Sequence, residues 1–278
     1  MAREGMRLFV LAHGRIENDL AINISLINAG TVDAPHRPAQ WVTVPNLTWL
    51  IQHPDAGWIL FDTSCHPRAM EGWWPEENRR RSPWYAAPEE HLESRLHQLG
   101  LRPGDIDTVI VSHLHLDHAG GISLFAGTRA GAGIIVHRRE LETALAGVHS
   151  TLEETWGPYL QRDFCDIEGI AYAPVEQDQE LADGVEMIMF EGHAAGLVGL
   201  MVHLEHSGTI LLPSDTLYMR RSLGPPPQAP GIIYDLGGFY RSARRVEALQ
   251  RRHDATIIYP HDWEQYTTEL KLSPAYYE

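Results

Sequence analysis

With 278 residues, 44% of them hydrophobic and 21% charged, the chain has the balance of a globular protein able to bury a sizeable core. A formal net charge of −15 argues against a nucleic-acid partner, and no apolar run approaches the roughly 18 residues that cross a bilayer, so no membrane partner is expected. The N-terminal apolar stretch is too short for a secretory leader and follows an acid, Glu4, which leaves a cytoplasmic protein as the expectation.

Taken in chain order, apolar runs rich in β-branched residues at 8–11, 20–27, 42–52 and 58–61 read as strands. Residues 64–87 follow as a long loop holding Cys65, Trp73, Trp74 and Trp84. Residues 88–99 open with Pro-Glu-Glu and repeat Leu92, Leu96 and Leu99, a helix signature. Strands are expected at 108–112 and 133–136, then a helix at 138–146. His137, just before that helix, is read as structural or as part of a pocket rim. A second long loop, 147–175, contains Cys165, and neither cysteine lies in a CxxC, so both are read as packed thiols. Strands at 185–190, 199–204 and 209–213 lead to a third loop, 219–234, with Pro225, Pro226, Pro227 and Pro230. A helix at 238–251 and a strand at 256–259 complete the pattern. Strands in blocks with helices interspersed suggest two sheets with helices outside, rather than a strict βαβ alternation. Long loops in such a protein are binding loops or lids about as often as plain surface connections.

The chemistry concentrates in one segment. Residues 108–121 read Thr-Val-Ile-Val-Ser-His113-Leu-His115-Leu-Asp117-His118-Ala-Gly-Gly, a buried strand running into a tight loop. His113 and His115 are two apart, so an extended backbone points both to one side. The loop then turns and brings Asp117 and His118 to the same cavity. Imidazole and carboxylate are the ligands zinc takes where it must keep an open coordination position, and iron, cobalt and manganese are compatible with them. Gly120 and Gly121 are expected to let the chain turn sharply and to leave room for a substrate.

A strand followed by His-x-His-x-Asp-His resembles the signature of the metallo-β-lactamase superfamily. The further His, Asp and His of that family have counterparts in Phe-Glu-Gly-His193, Leu-Leu-Pro-Ser-Asp215 and Ile-Ile-Tyr-Pro-His261, so the resemblance covers almost the whole chain. It implies an α/β fold, a four-layer αβ/βα sandwich, forming one hydrolase domain over residues 1–278. It also implies two Zn2+ ions, one on His113, His115 and His193, the other on Asp117, His118 and His261, with Asp215 between them. A hydroxide shared by the ions would then attack a polarised carbonyl. Asp62, in Phe-Asp-Thr-Ser, would brace the ligand loop, with Ser64 where the family usually has glycine. After His193 the chain reads Ala-Ala-Gly-Leu197, without the second histidine common in the family.

Within the superfamily, His115 stands against the flavodiiron proteins, which carry Glu there, and Asp215 against most β-lactamases, which carry Cys. The chain resembles best the N-acyl homoserine lactonases, the quorum-quenching group, which have a Tyr three residues after the bridging Asp. Here that residue is Tyr218, whose phenol would steady the tetrahedral intermediate. Asp117 would pass a proton to the leaving alkoxide. The expected substrate is an N-acyl homoserine lactone. The alternative is another small lactone, such as a pyridine-derived one, or a thioester or amide. Members of the family often form homodimers, and Trp73, Trp74, Trp84 and Met219 would line either an apolar substrate groove or a dimer contact.

Overall fold

Strand alternation sets the architecture. In the strand Arg7–Asp19, Leu8 and Val10 face one core while Phe9 and Leu11 face another, so the strand is covered on both sides. The structure, a computed structural model, describes residues 4–278, so residues 1–3 of the stretch considered as a leader lie outside the described residues. None of the described helices is long and apolar enough to cross a membrane.

The first sheet has seven strands in the order Trp84–Tyr85, Arg7–Asp19, Trp41–His53, Gly57–Phe61, Thr108–Ile110, Ile134–His137 and Tyr172–Val175. Pairing is antiparallel up to Gly57–Phe61 and parallel beyond it. The second sheet runs Gln179–Ala182, Val185–Phe190, Leu197–Leu204, Gly208–Leu212 and Thr256–Ile257, with only the last pair parallel. The sheets pack face to face through Leu8, Val10, Trp49, Ile59 and Phe61 on one side and Met187, Val198, Leu200 and Ile210 on the other. Helices cover both outer faces. Leu92 and Leu96 of Leu92–Gln98, with Ala144 and Val148 of Arg138–His149, meet the first sheet. Phe239, Ala243 and Val246 of Leu236–His253 meet the second. The expected four-layer sandwich is therefore the observed one, and both cysteines are buried and free.

Three expectations need correction. Residues 20–27 form no strand: Asp19 ends the preceding strand and its side chain accepts a hydrogen bond from Ala21 N, capping a short helix, Leu20–Asn23. Capping chemistry outweighs the β-branched composition there. Residues 64–87 contain a helix, Glu76–Arg81, with Glu77 and Arg81 paired one turn apart. Residues 147–175 contain a small hairpin, Thr155–Trp156 with Tyr159–Leu160, and a strand of the first sheet, Tyr172–Val175. These elements are too short to leave a periodic signal.

Candidate metal centre

The strand Thr108–Ile110 stops short of the histidine motif. His113, His115, Asp117 and His118 all lie on the loop that follows, so strand alternation is not what brings the first two together. They turn different nitrogens to one point: His193 Nε2 sits 3.2 Å from His113 Nε2 and 2.9 Å from His115 Nδ1. His193 arrives from the second sheet, just beyond Val185–Phe190. Asp117, His118 and His261 form a second group, with Asp117 Oδ2 3.7 Å from His118 Nε2 and 3.8 Å from His261 Nε2.

Asp215 spans both groups. Its Oδ2 lies 3.4 Å from His193 Nε2 and 3.8 Å from His113 Nε2, while Oδ1 lies 3.2 Å from His261 Nε2 and 3.4 Å from His118 Nε2. A tetrahedral ion with bonds of 2.0–2.1 Å spaces its ligand atoms by about 3.4 Å, so the donor set fits two such ions. His118 Nε2 and Asp215 Oδ1 are buried yet complete no well-formed hydrogen bond with the described residues, as lone pairs turned to a shared cation would be.

Electrostatics divide the histidines in the same way. Burial, reinforced by neighbouring imidazoles, holds His113 and His115 well below the ordinary range, and burial likewise lowers His193. These three rings are neutral, the state a metal ligand requires. Burial opposes charge at His118 and His261 too, but the Asp215 and Asp117 carboxylates overcome it and raise both. Those imidazoles in turn hold Asp215 well below the usual carboxylate range despite its burial.

Each of four rings is fixed by its other nitrogen. His118 Nδ1–H donates to Asp62 Oδ2 at 2.9 Å, His193 Nδ1–H to the Ile232 carbonyl at 2.9 Å, and His261 Nδ1–H to the Pro45 carbonyl at 3.0 Å. Asp62 also accepts from Ser112 N and Ser112 Oγ. Since Ser112 Oγ donates there, it accepts from His113 Nδ1–H at 3.0 Å. Ser64, where glycine was expected, holds φ 63° and donates to Asn46, which donates to the Asp117 carbonyl at 2.9 Å. Gly120 and Gly121 do not have the positive φ of a sharp turn. A Cβ on Gly120 would meet His66 N at 2.2 Å, and one on Gly121 would meet Thr63 O at 2.3 Å. They are glycines because the ligand loop lies directly on the Asp62 turn, not because they face a substrate.

Glu140 escaped the sequence reading. It is fully buried, and its carboxylate accepts from Leu114 N at 3.0 Å and from Ala195 N at 3.2 Å. One side chain thus ties the His113–His118 loop to the His193 loop. Burial pushes this carboxyl up to about 7. An acid in the first turn of a helix ordinarily reads as a partner for the helix dipole, so no sequence signal marked it.

A cavity of about 530 Å³ opens beside the centre, with His115, Asp117, Tyr218 and His261 on its inner wall. Tyr218 is buried, its ring edge-on to His193 and His261, and burial together with Asp215 keeps its phenol protonated. Trp74 lines the cavity. Trp73 stacks on His66 and donates to Asp163, and Trp84 donates to the His13 carbonyl, so these two secure the 64–87 segment instead. His137 caps the helix Arg138–His149, accepting from Arg139 N.

A family model described as the metallo-beta-lactamase superfamily matches residues 41–275. The N-acyl homoserine lactonase AiiB of Agrobacterium fabrum (strain C58 / ATCC 33970) is 35% identical over 99% of this chain and 100% of its own length. An N-acyl homoserine lactonase of Bacillus cereus is 27% identical over 90% of this chain and 94% of its own. Among solved structures, an N-acyl homoserine lactone hydrolase with N-hexanoyl-L-homoserine bound at its catalytic metal centre matches with a TM-score of 0.81 and 25% identity. That match covers 99% of this chain and 100% of the other.

Proposed function

The chain belongs to the metallo-beta-lactamase superfamily, and on that premise we propose that it is a metal-dependent hydrolase that opens the ring of N-acyl homoserine lactones. The observation that carries the reading is the position of Tyr218, a protonated phenol whose ring lies edge-on to His193 and His261 on the wall of the cavity. The full-length similarity to N-acyl homoserine lactonases supports it.

His113, His115 and His193 would hold one divalent cation and Asp117, His118 and His261 a second, with Asp215 shared, and zinc suits this donor set. Such a pair, when bound, acidifies water and polarises a carbonyl. The chain supplies the rest. Tyr218 donates a hydrogen bond to the carbonyl or ring oxygen as negative charge grows there. Water adds to the ring carbonyl, the ring C–O bond breaks, and the proton goes to the departing alkoxide. Asp117, the most exposed of the seven acid and imidazole groups, is placed to carry it. Asp62, Ser112 and Glu140 keep the rings aligned, so little reorganisation accompanies the reaction. The proposal includes a single domain spanning the chain and a cytoplasmic setting, for which two free buried cysteines are suited.

Metal content and ring opening test this together. Two ions per chain, with acid released from homoserine lactones and not from a thioester or a cephalosporin, is the expected result. Turnover confined to the thioester, or to a different lactone ring, would reject the substrate assignment. Tyr218→Phe should lower kcat on lactones by roughly 10²-fold while leaving bound metal unchanged. An unaltered rate would remove the phenol from the mechanism.

A further inference from the structure

The wall of the catalytic cavity changes character along its length. Ile16, Val44, Trp74 and Leu116 make it apolar, but Asn18 and Asn23 interrupt that surface. The two asparagines are only 5% and 1% exposed. Asn23 Nδ2 donates to Asn18 Oδ1 at 2.6 Å. Among the described residues this is the one hydrogen bond that either side-chain amide makes, which leaves Asn18 Nδ2 and Asn23 Oδ1 free toward the cavity. Turning both amides over exchanges their roles but again leaves one NH2 group and one carbonyl oxygen without a partner among the described residues. Neither group is sealed in the interior: both open on the cavity, where a bound group that cannot replace the hydrogen bonds of solvent costs their desolvation.

Strand register places the pair relative to the chemistry. Ile16 lies opposite Val44 and Asn18 opposite Val42, while the neighbouring Pro45 carbonyl accepts from His261. Asn18 is therefore two residues, about 7 Å of strand, farther from the centre than Ile16. An acyl chain running outward along this wall from a lactone seated at the centre meets the amide pair within its first several carbons.

We propose that Asn18 and Asn23 select acyl chains bearing a hydroxyl or keto oxygen on those carbons over unsubstituted chains. The inference rests on the lactonase reading and names a substrate class within it. A hydroxyl accepts from the free N–H and donates to the free oxygen. A ketone uses only the N–H. A methylene leaves both groups dry and unpaired. The order of kcat/KM is then hydroxy, keto, unsubstituted, with about tenfold between the first and the last.

The test uses the metal-loaded enzyme with octanoyl, 3-oxooctanoyl and 3-hydroxyoctanoyl homoserine lactones. The wild type should follow the stated order, with the difference mainly in KM. In the double variant Asn18→Leu, Asn23→Leu, apolar groups of similar size replace both partners and strand no amide. Its hydroxy-to-unsubstituted ratio should fall to about one. The ratio is taken within one preparation, so a smaller folded fraction cancels. Equal rates for the three lactones in the wild type, or a ratio unmoved by the double substitution, would overturn the selection while leaving lactone hydrolysis standing. Turnover of none of the three would overturn the lactonase reading itself.

Discussion

At Asp62 the backbone holds φ 67°, in the left-handed region that few residues other than glycine occupy. The carboxylate it aims is the reason, since it takes hydrogen bonds from Ser112 N, Ser112 Oγ and His118 Nδ1 and so orients one ligand candidate in each metal group. Asp62→Asn keeps a side chain that tolerates this backbone but replaces one acceptor oxygen with a donor. Metal affinity should fall by roughly 10- to 100-fold, measured by competition with a chelator of known strength. Unchanged affinity would mean that the backbone alone positions the loop. A second buried acid has a separate consequence. Burial pushes Asp163 up from 3.8 to about 7, against the hydrogen bond it accepts from Trp73 Nε1 at 2.6 Å. Its folded pKa lies above its unfolded one, so its contribution to stability is fully present below about pH 4. That contribution is lost as pH rises through about 7. Thermal melts should therefore show the wild type losing stability relative to Asp163→Asn between pH 4 and pH 8, and a constant difference would contradict the assignment. At this scale the sequence was most legible where residue type and order coincide. The seven His and Asp positions singled out from the sequence are the seven the fold gathers. Glu140 was illegible because its role depends on backbone N–H groups far away along the chain.

Among the elements, the ligand loop is held by contact rather than by regular structure. Thr63 N and Oγ both bond the His118 carbonyl, and Gly121 N bonds Thr63 Oγ, so two irregular segments fit flat against each other. Gly120→Ala would press a methyl group into the backbone at His66, and neither segment has slack to accept it. A loss of about 1–3 kcal/mol is expected, together with weaker metal binding, since the displaced residues include His118. Denaturant melts and metal titration on the same variant check both, and a stable variant with full metal affinity would show that the loops can part. Strands such as Val185–Phe190 were readable because they are apolar runs covered on both faces, with Val185, Met187 and Met189 in the core between the sheets and Ile188 and Phe190 in the core beneath the outer helix. The hairpin at 155–160 and the helix Leu20–Asn23 were not, because caps and neighbours, rather than periodicity, decide such short pieces.

For the molecule as a whole, the centre lies where loops of both sheets meet. His113, His115, Asp117 and His118 follow a strand of the first sheet, while His193, Asp215 and His261 follow strands of the second. Cations held there would clip one sheet to the other and would bind only the folded chain. Chelation should then lower the melting temperature by roughly 5–10 °C, as expected for ions present at 100 times their dissociation constant or more, with recovery on adding zinc. Identical melts with and without chelator would place the ions outside the cohesion of the fold.

By itself the sequence determined the kind of chemistry, because imidazole and carboxylate side chains in a fixed order after apolar strands restrict the ligands, the layers and the family at once. Only the tertiary structure decided how the donors meet. His115 joins its group through Nδ1, Asp215 reaches both groups with separate oxygens, and Glu140 ties the two ligand loops. Those relations hold between residues far apart in the chain, and local patterns carry no record of which distant backbone a side chain will touch.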